Sequence, residues 1–268
     1  MVDVAHEFTT DWIRSNRLLV LGKISNRGLF LDKYTEFLFT SFPSDGRYRK
    51  NPRKNQVLDQ AIKAAPKLEN DLFDFLKNRR LSIPDRKIIS MTTKTRMVVG
   101  LGAESVLETG ITLHPYWGFP VIPGAAVKGV THHYCCEESD DMSEKERNDI
   151  FGTQDVQGKI VFMDAWPSGE WAAVKAALEL DIMTPHYTAY YGDPANNLPS
   201  DTHNPVPIVF LVTKSGITFD FAITPSSTCA EDEKATLIDK ASKKLKEALT
   251  IAGIGAKTGS SYGYFLEG

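Results

Sequence analysis

The alternation of apolar and polar positions predicts helices toward both ends of the chain, with strands between them. Residues 56–80 read as helical with an interruption near Pro66, since proline removes a backbone donor and clashes with the preceding turn. From 231 to 252, Ile238, Ala241, Leu245, Leu249 and Ala252 recur at helical spacing and share one face. Gly253 then stands just past the helix end, where a left-handed residue is favoured. A third helix is expected from the turn at Pro123-Gly124 to about Cys136. A short fourth one ends near Phe151-Gly152, after the acidic, polar stretch 137–149.

Period-two patterning marks the strands. Residues 93–101 alternate, with Lys94 and Arg96, both candidate RNA-binding residues, on one face and Thr95, Met97 and Val99 on the other. Gly100-Leu101-Gly102 closes that stretch, and 106–113 forms a second candidate. Residues 158–166 read as a buried strand and 178–183 as another. Stretches 206–213 and 217–223, joined by Lys214-Ser215-Gly216, carry the pattern of a β-hairpin. A short last strand is expected at 262–266. Residues 1–23 show weak pattern, 26–34 form an entry segment, and 184–204 form a long loop of the kind that is usually functional.

This mixture is α+β. Strands, a helix behind a turn, more strands, a helix and a last strand suit a ferredoxin-like sheet with large insertions. No internal repeat or low-complexity linker divides the chain. The expectation is a single domain over 1–268, with an N-terminal helical extension or insertion at about 24–90 and the loop insertion at about 184–204.

Composition narrows the function classes. At 268 residues, with 42% hydrophobic and 24% charged, the chain has the make-up of a soluble globular protein with a substantial core. Its formal net charge is −3, whereas a free-standing nucleic-acid binder is usually basic. A nucleic-acid site here must therefore be a local patch, and the balance suits a subunit of a larger assembly. The three cysteines, Cys135, Cys136 and Cys229, include two neighbours and no Cys-x-x-Cys, which points to a reducing, cytoplasmic compartment. The apolar run 18–21 is too short for a signal peptide or a membrane span.

The most informative stretch is the glycine-rich hook after the long helix: Gly253, Gly255, Lys257, Thr258 and Gly259, followed by Ser260, Ser261, Tyr262 and Gly263. Consecutive amides in such a loop form a concave anion site, and a lysine adds charge. It is not a P-loop, because Ala256 precedes Lys257-Thr258, and the order is helix, loop, strand. A dinucleotide fingerprint fails because Thr258 takes the third glycine's place. Contact with a phosphate backbone fits better. Lys128, in the first turn of the helix behind Pro123-Gly124, opposes the helix dipole unless an anion is near. Arg47, Arg49 and Lys50, with Tyr48 among them, form a basic loop suited to gripping a backbone and stacking a base.

Other residues admit catalysis. His114, His186 and His203 invite a metal-independent endoribonuclease using a loop histidine as acid or base. Alternatively, His186 and Tyr187, with Tyr190 and Tyr191 beside them, hydrogen-bond to or stack on single-stranded RNA. His132, His133, Cys135 and Cys136 are metal ligands by type, but no second pair at zinc-like spacing accompanies them, and no cofactor is expected. Asp164 reads as a turn anchor accepting backbone hydrogen bonds.

The ordered set Gly100-Leu101-Gly102, Ile122-Pro123-Gly124 with Lys128-Gly129, Phe151-Gly152, 158–165, 181–191, Pro205-Val206-Pro207 and the hook resembles the RAMP superfamily of CRISPR-associated proteins. Within it, the chain is similar to the sixth-subunit family of type III-B, or Cmr, effector complexes, most tellingly at 181–187 and 253–258. The resemblance runs from about 24 to 268. It implies a ferredoxin-like, RRM-type core and a non-catalytic backbone subunit that binds CRISPR RNA near its 3′ end. It also implies partnership with other RAMP subunits of the Cmr complex and with target RNA. By the same resemblance, Gly253, Gly255, Lys257, Thr258, Gly259, Gly124 and Lys128 would contact RNA backbone. Two departures stand out: Ala125-Ala126 where small hydroxyl residues often follow Pro-Gly, and Ser261 where glycine commonly precedes Tyr-Gly.

Overall fold

In the computed structural model, the described residues are 31, 54–63, 70–80, 82–105, 107–137, 142–200 and 205–267. The elements in chain order are α1 (Lys54–Lys63), α2 (Asn70–Arg80), β1 (Lys87–Thr93), α3 (Gly124–Glu137), α4 (Glu144–Phe151), β2 (Ile160–Phe162) and β3 (Trp166–Pro167). They continue with α5 (Trp171–Lys175), β4 (Leu178–Met183), α6 (Thr188–Gly192), β5 (Ile208–Thr213), β6 (Thr218–Pro225), α7 (Glu231–Ile251), a 3-10 turn at Thr258–Ser260 and β7 (Phe265–Glu267).

The larger sheet has the order β2-β6-β1-β7, every neighbour antiparallel, with β3 extending β6. Ile89, Met91, Phe219, Phe221, Ile223 and Phe265 point to one face by period-two alternation and are buried there. That face is covered by α3 and α7, whose Val127, Tyr134, Ile238, Leu245 and Leu249 join the same core. The phenylalanines meet edge-on, with Phe221 and Phe265 centroids 5.5 Å apart. Helix α7 begins with Glu231, Asp232 and Glu233, which complement the helix dipole. It ends where Gly253 turns left-handed at φ 72° and its amide bonds the Ala248 carbonyl at 3.0 Å. Ser143 and Glu146 form a reciprocal capping box at the start of α4. A second sheet pairs β4 with β5.

Several expected strands are redistributed. Only Thr93 of 93–101 lies in a strand. Beyond it the chain crosses between the sheets: the Lys94 and Thr95 amides bond the Tyr264 carbonyl, and Met97 bridges to Thr213. The stretch 106–113 forms no strand over its described residues: Glu108 turns at φ 66°, and Leu113 makes a single bridge to Pro120. Residues 158–166 break at 163–165 because Ala165 pairs with Ile122 and Asp164 turns toward α3. The hairpin over 206–223 does not form. Its first arm pairs with β4 and its second with β1, and the turn is spread between them by Lys214 on Ala177 and Gly216 on Thr93. The last strand starts at Phe265, since Gly263 and Tyr264 bond across to 94–96.

Candidate nucleic-acid interface

The hook is a closed loop cross-linked to the segment between the two sheets. The Ile254 amide bonds the Gly263 carbonyl at 2.9 Å, Ala256 bonds Val98 at 2.8 Å, and Gly263 bonds Arg96 at 2.8 Å. Two glycines are required by close approach. A Cβ on Gly255 would lie 2.4 Å from the Val98 oxygen, and one on Gly263 would lie 2.0 Å from the Ile254 oxygen. Gly259 faces open space. Between these anchors, Lys257 and Ser261 both sit in the left-handed region at φ 65°, bracketing the 3-10 turn. Among the described residues, the amides of Gly255, Lys257, Thr258 and Gly259 donate to no backbone carbonyl, which leaves them as possible donors to an anion.

The hook rests on the second sheet. Ala256 and Tyr262 pack on Val98, Phe210 and Val212 together with Met183. Lys257 is half-buried, and its Nζ meets the Met183 sulfur at 4.0 Å. No carboxylate pairs with it among the described residues. Arg96 differs. Its Nε donates to Glu179 at 2.6 Å and its Nη1 to Asp181 at 3.0 Å. The Tyr262 hydroxyl donates to the same Asp181 oxygen at 2.6 Å. Burial works against the Asp181 charge, but the Tyr262 hydroxyl, the Ile182 amide and Arg96 outweigh it and hold the carboxyl below its ordinary range. Burial and the bond to Asp181 push Tyr262 up to about 12. Arg96, expected as a backbone contact, therefore has its charge matched within the protein. Sequence reasoning did not pair Glu179 and Asp181 with it; their i, i+2 spacing on one strand face was the available signal. Lys94 is exposed on the neighbouring segment.

The start of α3 is built differently. The Gly124 amide donates to Asp164 Oδ1 at 2.7 Å, so a carboxylate already occupies the place expected for a phosphate. Gly124 is required for packing: a Cβ there would lie 2.3 Å from the Phe162 carbonyl oxygen. This corrects the expectation that its amide is open to an anion and bears out Asp164 as a turn anchor. Lys128 is half-buried one turn on, and no hydrogen bond or ion pair joins it to the hook among the described residues. After burial, its charge is the next influence lowering the pKa of His132.

The remaining candidates separate. Arg47, Arg49, Lys50 and His203 lie outside the described residues. His186 is exposed, with its ring 6.4 Å from half-buried Tyr187, in the loop following Met183. His114 organises its own loop. Its Nδ1 accepts the Tyr116 and Trp117 amides, each at 3.3 Å, and its ring stacks on Phe119 at 4.8 Å. Burial lowers its pKa, with Asp164 opposing. That ring nitrogen is thus engaged by the amides of its own loop. His132 Nε2 lies 3.6 Å from Cys136 Sγ, as a four-residue helical spacing predicts. No group of three potential metal ligands converges among the described residues. Among them, too, no helix is long and apolar enough to cross a membrane.

Two curated relatives are similar to this chain. The CRISPR system Cmr subunit Cmr6 of Pyrococcus furiosus is 33% identical, covering 65% of this chain and 66% of the relative. The CRISPR system CMR subunit Cmr6 of Saccharolobus solfataricus is 27% identical, covering 74% of this chain and 61% of the relative. The chain thus spans 66% and 61% of their lengths, just under two thirds. A chain in the type III-B Cmr-beta complex bound to cognate target RNA shares the fold, with a TM-score of 0.59, 22% identity and 96% of each chain covered. The sequence pattern of the RAMP superfamily matches residues 90–266, which take in most of the larger sheet, the whole of the second, α3, α7 and the hook. The chain belongs to the RAMP superfamily.

Proposed function

We propose that this chain is a non-catalytic RNA-binding subunit of a type III-B (Cmr) ribonucleoprotein, holding CRISPR RNA near its 3′ end and helping to capture complementary target RNA. The observation that carries this reading is the hook: a half-buried lysine that, among the described residues, has no carboxylate partner, set on a braced turn beside backbone amides that meet no carbonyl there. Such a site suits a phosphate, since it offers one charge and several donors and reads no base. The bases of a guide then stay free for pairing. The names of the two relatives, both CRISPR-system Cmr6 subunits, support the setting, and the Cmr-beta complex bound to cognate target RNA supports target RNA as a partner. We read the core as ferredoxin-like and RRM-type within a single RAMP domain. The order β1, α3, β2, β6, α7, β7 with sheet order β2-β6-β1-β7 supports this. We place the protein in the cytoplasm.

The test is mild affinity purification from the native host, with sequencing of bound RNA and identification of partners. Repeat-derived guide RNAs with other RAMP subunits are expected. A chain recovered without RNA or partners overturns the reading.

A further inference from the structure

Resting on the RNA-binding reading of the hook, we propose that Asp181 is a positioning residue. Through Tyr262 it fixes the left-handed turn that presents Lys257 to an RNA backbone. Lys257 and Ser261 each carry a side chain at φ 65°. Residues with a Cβ hold that conformation only where the surroundings over-determine it. The turn between them is closed by the Tyr262 amide on the Lys257 carbonyl at 3.3 Å and by the Tyr264 hydroxyl on the Thr258 carbonyl at 3.3 Å. Tyr262 is thus the post on which the turn hangs, and its outer end is tied to Asp181 at 2.6 Å.

Asp181 is suited to hold that post because it is fixed itself. It lies on β4, a paired strand, and its Oδ1 accepts the Ile182 amide at 2.8 Å. Its Oδ2 also takes Arg96 Nη1 at 3.0 Å, while the Arg96 carbonyl accepts the Gly263 amide at 2.8 Å. One carboxylate therefore braces the return arm of the hook at its side chain and, through Arg96, at its backbone. Same-face residues of a strand recur every second position, and here three successive ones line up on this region. Glu179 holds Arg96, Asp181 holds Tyr262 and Arg96, and Met183 touches Lys257 Nζ at 4.0 Å. One face of β4 is a template against which the lysine is set. Charge-assisted bonds of this kind are short and directional, which suits positioning.

The experiment measures binding of the full chain to a fluorescein-labelled oligouridylate RNA by anisotropy across a salt series. The variants are K257A, D181A, Y262F and the doubles K257A/D181A and K257A/Y262F. Y262F keeps the ring on Phe210 and removes only the hydroxyl, so it tests the tie even if D181A folds poorly. D181A and Y262F are expected to weaken binding roughly threefold to tenfold and to lower the salt slope as K257A does. The double variants should bind no more weakly than K257A alone, because the tie acts only through Lys257. Additive doubles, or Y262F binding as tightly as wild type while K257A is weakened, overturn the positioning role and leave the RNA reading standing. If K257A binds like wild type, or wild type does not bind, the RNA reading of the hook falls and takes the inference with it.

Discussion

Two glycine-led turns in this molecule look alike in sequence and differ in chemistry. Pro123-Gly124 and the hook at 253–259 each set a lysine beside backbone amides, and each was expected to meet a phosphate. At the first, Asp164 has taken the Gly124 amide, and the glycine is there because the helix start abuts the Phe162 carbonyl. At the second, glycines provide close approach on the inner side, while Lys257 meets only the Met183 sulfur and no carboxylate among the described residues. The lesson is that a glycine-lysine motif shows where backbone comes close. Whether an anion is wanted depends on which carboxylates the fold brings near.

Substitutions at the two turns separate these roles. Gly124→Ala should have the largest effect, since its Cβ meets backbone that cannot easily shift; overpacking of this kind costs about 3 kcal/mol. Chemical denaturation of wild type and variant measures it, and an unchanged midpoint would remove the packing explanation. Asp164→Ala should cost about 1 kcal/mol through loss of the amide cap at α3, read in the same assay. In RNA binding the order reverses. Lys257→Ala should lower the slope of log affinity against log salt by about 0.7, the share of one phosphate on a single strand. Lys128→Ala should change it less, and equal slopes for the two would erase the contrast.

Acid provides a milder probe of the hook. The folded-state pKa of Asp181 is depressed, so its contribution to stability is present above its unfolded pKa of about 3.9 and is lost as pH falls through the folded value. The difference in melting temperature between wild type and D181N should hold steady near neutral pH and shrink in acid. A difference that grew on acidification would reverse the sign. Gly259→Ala should have the smallest effect of all, within about 0.5 kcal/mol of wild type, because nothing stands near its Cβ.

What could be read from the sequence was what local pattern decides. The face of α7, its glycine stop and the extent of β4 follow from spacing and are as expected. β1 was missed. Ile88 and Ile89 are adjacent, one exposed at 38% and one buried at 3%, so a strand buried on one face showed no clean apolar alternation. The apparent hairpin over 206–223 failed for a related reason. Local turn signals say that two strands are neighbours in sequence, but the choice of partner rests on β1 and β4, far away along the chain. At the candidate site, Lys257 and its glycines could be read as a local motif. The neutralisation of Arg96 and the blocking of Gly124 could not, because both depend on carboxylates brought in from other strands.

The strand order has a consequence for how the chain is made. β1 leaves the ribosome well before either of its partners, and contacts such as Tyr264 with Thr95 join residues 169 apart. Until 218–225 arrives, both edges of β1 are unpaired, and an open edge invites pairing with other chains. Assembly of the sheet is therefore a late, non-local event of the kind that folds slowly. The hook hangs from residues 94–98, so its bonds too join stretches more than 150 residues apart. A nascent chain stalled before 218 would leave both edges of β1 open to other chains.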